Sequence, residues 1–369
     1  NSAYEAASVL GIKVYGASNL TEVLDILRGA DYAESLVVCG REMLPRKRQG
    51  HKADFKDVIG QPFAKRGLEI AASGGHNVIL CGEPGSGKSF MAACLPSILP
   101  EMNEEESLET SAVYSVAGLL NGKEGLVVDR PFRTPHNTSS VVAIVGGGPN
   151  AAPGEISLAH NGVLYMDEIT LFSPATLNLL RQPLEDRFIS ISRARYKVRY
   201  PASFMLVGSM NPCPCGYYGD ESGRCTCTPG MISRYLSKIS GPLMDRVDLN
   251  IKVMPVEKEL LVAGEKGESS EVIARRVRMA RDIQNERFKS AGIYTNAQMD
   301  ANLLSVHCEL GDEEKRFMNG IMDTFSLSAR SYSRILRISR TLADMDGAEK
   351  IKIEHISEAV QYRFQRDFL

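Results

Sequence analysis

The 369 residues are 43% apolar and 24% charged, with a formal net charge of −2 at pH 7, the profile of a globular protein with room for two or three cores. No run of about 18 uninterrupted apolar residues occurs, which excludes a helical membrane span. The slightly negative balance excludes a protein that coats nucleic acid through its overall field, though not one that grips it through a local basic stripe.

The chain opens Asn1-Ser2-Ala3-Tyr4, without an initiator Met or a signal-peptide pattern, so a piece of a longer protein is expected. Residues 1–30 hold a β-like run, Ile12–Tyr15, and a helical pattern from Leu20 to Leu27. That is too little to bury a core alone, and it reads as the tail of an upstream domain. A basic stretch follows within residues 31–54, with Arg41, Arg46, Lys47, Arg48 and Lys52 around Pro45 and Gly50, the composition of a solvated linker.

From residue 55 to about 256 the pattern is α/β. The apolar strings Asn77–Cys81, Gly162–Met166 and Phe204–Val207 predict buried parallel strands covered on both faces by helices. A polar linker over 257–270 leads to a helical region over 271–369, where Ile273, Val277 and Ala280 share one helix face and Ile335, Ile338, Leu342 and Met345 another. An α/β core followed by a small helical domain is expected.

Gly82-Glu83-Pro84-Gly85-Ser86-Gly87-Lys88-Ser89 fits G-x-x-x-x-G-K-[ST] between a predicted strand and a helix starting near Phe90. Its backbone N–H groups would cradle phosphates, Lys88 would neutralise the β- and γ-phosphate oxygens, and Ser89 would coordinate Mg²⁺. ATP and Mg²⁺ are the expected cofactors. Asp167 and Glu168 end an apolar strand, and in an open parallel sheet that places them beside the phosphate loop. Asp167 would help hold the Mg²⁺ shell and Glu168 would polarise the attacking water. Asn211 follows the next strand and would reach the γ-phosphate or that water. Arg246, in the run Gly241–Leu249, is a surface pair to a carboxylate or an arginine finger for a neighbouring subunit's ATP.

Arg130–His136, Pro153–Gly162 and Gly241–Leu249 together resemble the magnesium-chelatase-like AAA+ family, closest to its ComM-type branch, over about residues 55–365. The resemblance implies an AAA+ P-loop core, a helical lid domain (271–369), an upstream Lon-protease-like domain ending in residues 1–30, and a ring homo-oligomer, a hexamer. It implies that Val58, Ile59 and Gly60 cradle adenine, that Arg246 is the arginine finger, and that Arg330 takes the sensor 2 position. Arg334 and Arg337 share the helix face of Arg330 and compete for that role. The family's usual His-His is His136-Asn137 here.

Residues 187–200 read as a β-hairpin on which Arg193, Arg195, Lys197 and Arg199 alternate and share one face. This resembles the hairpin lining the channel of related ring motors and would contact DNA; a solvated face is the other reading. Cys213, Cys215, Cys225 and Cys227 bracket a polar Gly-rich loop and are either a tetrahedral Zn²⁺ site or a cluster of free thiols. Cys39, Cys81, Cys94 and Cys308 read as buried thiols, and thiols beside a nucleotide loop point to a reducing cytoplasm. The resemblance implies an ATP-driven DNA helicase or branch-migration motor acting on transforming DNA. The alternatives are a chelatase-type ATPase that remodels a metal-inserting partner and a slow nucleotide-gated binding module.

Overall fold

The computed structural model describes residues 2–7, 12–30, 37, 53–120, 126–192, 197–220, 223–256, 258–264 and 266–363. Within these, the three predicted apolar strings become Val78–Gly82, Val163–Met166 and Met205–Met210, every residue buried. The third is longer than expected, because Gly208 to Met210 continue the strand instead of leaving it. Two further strands complete a five-stranded sheet in the order Phe132–Arg133, Val163–Met166, Met205–Met210, Val78–Gly82, Leu249–Val253. All four pairings are parallel, so the carboxyl ends share one edge and the amino ends the other. Gly162 starts its strand where only glycine fits: a Cβ there would lie 2.0 Å from the Pro131 carbonyl oxygen, whose partner is the Val163 N–H at 2.7 Å.

The two expected helical faces are present in Ser270–Arg287 and Ala329–Met345. Their buried residues join those of the sheet in one apolar cluster that runs from Phe55 and Leu68 through Val78 and Ile251 to Ile335 and Tyr362. Core and helical region therefore share one hydrophobic interior, and the expected linker contains a short helix, Lys258–Ala263. They approach closely at Gly67, where a Cβ would meet Ile251 Cδ1 at 2.5 Å and Tyr362 Cε1 at 2.8 Å, and at Gly74, where it would meet Thr341 Oγ1 at 2.4 Å. A second cluster, including Ile79, Met166, Phe172, Leu206 and Leu243, fills the other face of the sheet.

At the amino end the β-like run makes one isolated bridge, Tyr15 to Val37. The next helix forms as predicted, Leu20–Arg28, capped by Asn19 and Gly29, with no buried residue. The basic stretch from Arg41 to Lys52, and Cys39, lie outside the described residues. No described helix is long and apolar enough to cross a membrane.

The amino edge of the sheet is fixed by one buried carboxylate. Asp248, 2% exposed, accepts from the Asn77 N–H at 3.0 Å and pairs with Arg334 of the helical region. Burial opposes its charge, but Arg334, His76 and Arg337 outweigh burial and hold the carboxyl well below the usual range. The Asn77 side chain donates to the Arg246 carbonyl at 2.9 Å and accepts from the Leu206 N–H at 2.8 Å, tying three strand starts together. Asp248→Ala leaves Arg334 uncompensated and should cost roughly 3–5 kcal/mol of stability, read as a fall in the urea midpoint. Because the folded pKa is depressed, the contribution of Asp248 is complete above about pH 4 and drains away as pH falls toward the folded value. The gap between parent and variant should narrow in acid; a gap that widens there would contradict the assignment.

Candidate active site

The phosphate loop leaves the carboxyl end of Val78–Gly82, the strand between Met205–Met210 and Leu249–Val253. Gly85 and Gly87 sit at φ +79° and +91°, the left-handed region that side chains resist, and helix Lys88–Cys94 follows at once. The Lys88 ammonium donates to the Gly82 and Glu83 carbonyls, both at 2.7 Å, and lies 3.3 Å from Asn211 Oδ1. Burial lowers its pKa, and Cys81, Asp167, Glu168 and Glu83 oppose that. Asn211 thus faces Lys88 from the adjacent strand.

Asp167 stands on the other side of the loop. It accepts from Ser89 Oγ at 3.3 Å, Tyr165 OH at 2.7 Å and Ser209 Oγ at 2.5 Å. Burial works against its charge, but the donors Ser209, Tyr165 and Ser89 prevail and its pKa is lowered. A low-pKa carboxylate beside a hydroxyl is the donor set a hard dication takes. Ser89 and Asp167 therefore suit Mg²⁺, which would withdraw charge from phosphate oxygens. Glu168 is exposed, holds φ +47°, and donates its backbone N–H to Ser209 Oγ at 2.9 Å. A non-glycine residue in this conformation is strained, and the surrounding structure must hold it there.

Sequence reasoning missed Tyr165 and Ser209. The signal was there: each lies two residues before a residue singled out as functional, Asp167 and Asn211, and side chains two apart share a strand face.

Val58 is buried, Gly60 sits at φ +62°, and Gln61 Nε2 donates to the Met254 carbonyl at 2.5 Å. The segment Val58–Gly60 is thereby fixed against the chain leaving the last strand; Ile59 is half-buried.

Arg246 and Arg330 are not brought to this site. Arg246 is 7% exposed, reaches Glu185 at 2.5 Å and donates to the Pro242 carbonyl. Arg330 pairs with Asp245 at 3.5 Å, its side chain 68% exposed. Both line a cleft of about 470 Å³ with Arg187, Arg334 and Arg337 at the amino edge of the sheet. Arg334 is occupied by Asp248 and Arg337 by the Met299 carbonyl, which leaves Arg330 the most accessible of the three competing arginines. One strand of five residues separates the two edges, about 17 Å at 3.4 Å per residue.

The segments that carry the family resemblance act as braces. Arg130 holds Glu106 through two bonds of 2.8 Å and the Asn161 carbonyl at 2.7 Å. Arg133 holds Glu155 at 2.7 and 2.8 Å. His136 is exposed and bonds Thr138.

The predicted hairpin is present as Phe188–Ser192 paired antiparallel with Lys197–Pro201. Ile189, Ile191 and Tyr200 pack inward while Ser190, Ser192, Lys197 and Arg199 face out. The Arg199 guanidinium stacks 3.3 Å above the Phe188 ring centre. Arg193 and Arg195 lie outside the described residues. The sulfurs of Cys213, Cys215, Cys225 and Cys227 all lie within 4.8 Å of one another. Cys81, Cys94 and Cys308 are buried thiols, as expected.

Known proteins resemble the chain over most of its length. A family model described as magnesium chelatase, subunit ChlI, matches residues 54–261, and one for the ChlI C-terminal region matches 267–363. The uncharacterized protein YifB of Salmonella typhimurium is 43% identical over 84% of this chain and 60% of its own length. The competence protein ComM of Haemophilus influenzae is 40% identical over 98% of this chain and 70% of its own. The magnesium-chelatase 38 kDa subunit of Cereibacter sphaeroides is 24% identical over 85% of this chain and 92% of its own. The chain thus spans about 60% of the length of its YifB relatives.

The donors around Asp167 generate a pH prediction. Removing two of them in Tyr165→Phe plus Ser209→Ala leaves burial less opposed, so the Asp167 pKa rises and its carboxylate is lost earlier on acidification. The acid limit of Mg²⁺-dependent nucleotide binding should move to higher pH than in the parent, measured in the same buffers. An unmoved limit would show that Asp167 does not hold the metal.

Proposed function

The chain belongs to the magnesium chelatase subunit ChlI family of AAA+ proteins, and from that premise we propose that it hydrolyses ATP as one subunit of a ring, a hexamer, and uses the energy to move DNA. The observation that carries the proposal is the convergence of Lys88, Ser89, Asp167 and Asn211 at one edge of the sheet, with Glu168 next to them.

In this reading the loop Gly82–Ser89 binds the triphosphate and Lys88 exchanges its loop carbonyls for phosphate oxygens. Ser89 and Asp167 hold Mg²⁺. Val58, Ile59 and Gly60 contact adenine. Glu168 accepts hydrogen bonds from the attacking water and polarises it, and Asn211 positions that water against the γ-phosphate. Arg246 and Arg330, a strand length from their own chain's loop, serve the nucleotide of a neighbouring subunit, Arg246 exchanging Glu185 for phosphate. Head-to-tail contacts of that kind close into rings.

DNA is favoured as the moved object by the outward cations of the hairpin and by the likeness to a protein named for competence. With a net charge of −2, affinity must come from such local sets multiplied around a channel. The weaker likeness to a magnesium-chelatase subunit keeps a second reading, remodelling of a metal-inserting partner.

One experiment tests these steps together: hydrolysis and DNA binding measured with and without single-stranded, duplex and branched DNA. Glu168→Gln should keep nucleotide binding and lose turnover, while Lys88→Ala loses both. Lys197→Glu plus Arg199→Glu should keep DNA-free hydrolysis and lose DNA stimulation, with the parent's binding falling by roughly −0.7 per neutralised phosphate in a log–log salt plot on single strands. Normal turnover in Glu168→Gln would overturn the catalytic assignment. A folded, assembled parent that binds no DNA at low salt would favour partner remodelling.

A further inference from the structure

A loop of thiols leans on the phosphate loop. After Asn211 the chain runs through Cys213, Cys215, Cys225 and Cys227, and its described residues form no helix or strand before the helix Pro229–Leu236. Among its described residues 212–228, Cys213 is the sole fully buried apolar side chain. A segment of this kind has no hydrophobic interior of its own to hold it and needs a cross-link or a metal.

The sulfur positions discriminate between those two. Cys213 and Cys215 are 3.3 Å apart, Cys215 and Cys225 3.6 Å, and Cys213 and Cys225 3.8 Å, with all four within 4.8 Å. Each of these distances is far above the S–S bond length of about 2.05 Å. A regular tetrahedron with Zn–S bonds of about 2.3 Å has sulfur–sulfur edges of about 3.8 Å. Four cysteines and no oxygen ligand form a soft donor set, which favours Zn²⁺ over Mg²⁺ or Ca²⁺.

Three contacts connect this cluster to the nucleotide site. Gly216, at φ +89°, lies so close to the phosphate loop that a Cβ there would stand 2.6 Å from Pro84 Cδ. Arg224, next to Cys225, bonds Glu83 Oε2 at 3.0 Å and Asp220 at 2.8 Å. Cys213 lies two residues beyond Asn211, whose amide oxygen is 3.3 Å from Lys88. Glu83 and Pro84 belong to the phosphate loop itself.

We propose that Cys213, Cys215, Cys225 and Cys227 bind one Zn²⁺ as a closed tetrathiolate site, and that this metal-stapled loop braces the phosphate loop so that nucleotide affinity depends on it. The four thiols release their protons to solvent as the metal enters, and no electron is transferred. Because every ligand position is filled by sulfur, no water is left to activate and the site is structural. Its effect on the nucleotide passes through Gly216 and Arg224, which makes Arg224 a positioning residue. The nucleotide half of the inference rests on the ATPase reading above, whereas the metal half stands apart from it.

The test uses the chain purified in reductant, with zinc counted per chain and the Kd of a fluorescent ATP analogue measured with Mg²⁺. The parent should carry about one Zn²⁺, and Co²⁺ replacement should give the ligand-field bands of tetrahedral thiolate coordination. Cys213→Ser plus Cys225→Ser should lose the metal and weaken nucleotide binding. Arg224→Ala leaves all four thiols in place. It should keep its zinc and a folded circular dichroism spectrum, yet raise the nucleotide Kd roughly two- to fivefold, the range for an exposed ion pair. Reduced protein without zinc overturns the metal site. Zinc present with Kd unchanged in both variants overturns the brace. A parent that carries zinc but binds no nucleotide overturns the ATPase reading and the brace with it, and leaves the metal site standing.

Discussion

A sheet whose strands all run one way has two unlike edges, and the rest of this molecule is arranged around that polarity. At the carboxyl edge the strands end in Gly82, Met166 and Met210, and the next residues are the phosphate loop, Asp167-Glu168 and Asn211. At the amino edge lie Asn77, Arg246 and Asp248, with the helical region packed over them. Parallel pairing forces this separation, because every crossover must return the chain to the same starting edge. The candidate phosphate-binding groups and the candidate arginines are therefore on opposite sides of one sheet. On the ring reading proposed above, a single chain holds the halves of two sites.

The sheet is stiff enough for that geometry to matter. One apolar cluster spans the sheet and the helical region, and the two are further joined by Asp248 with Arg334 and by His76 with Thr341 at 2.8 Å. Inside the helical region, the buried carboxylate of Asp344 collects Arg287, Arg340 and Asn296. Removing a member of such networks leaves a buried charge unpaired, so the native arrangement is strongly preferred.

Much of this was legible in the sequence because the relevant signals are local. Asn77–Cys81 and Gly162–Met166 are apolar strings long enough to admit one reading, and the Gly-rich loop between strand and helix fixes the site's class. The outward placement of Lys197 and Arg199 followed from alternation, while Arg193 and Arg195 lie outside the described residues. Other parts depend on contacts that no window contains. Phe132–Arg133 is two residues long and is a strand only because Val163 and Leu164 pair with it, the Val163 N–H donating to the Pro131 carbonyl. Helix Glu104–Val116 lacks a clear apolar stripe and starts at the capping box of Asn103 and Glu106. The run Ile12–Tyr15 has strand-like composition yet, among the described residues, makes a single bridge. The motif arginines Arg130 and Arg133 read as family signatures, and their work as braces appears only once Glu106 and Glu155 are placed opposite them.

The claim that each site is completed by a second subunit is open to a direct measurement. Lys88→Ala protein keeps its arginines and lacks a working loop; Arg246→Ala protein keeps its loop and lacks the finger. Each alone should be nearly inactive, since an arginine supplied in trans contributes on the order of 10³–10⁵ in rate. Mixed at equal concentration and reassembled, the pair should recover ATPase activity at junctions where an intact loop meets an intact Arg246. Assemblies shown to contain both variants that recover no activity would contradict the account.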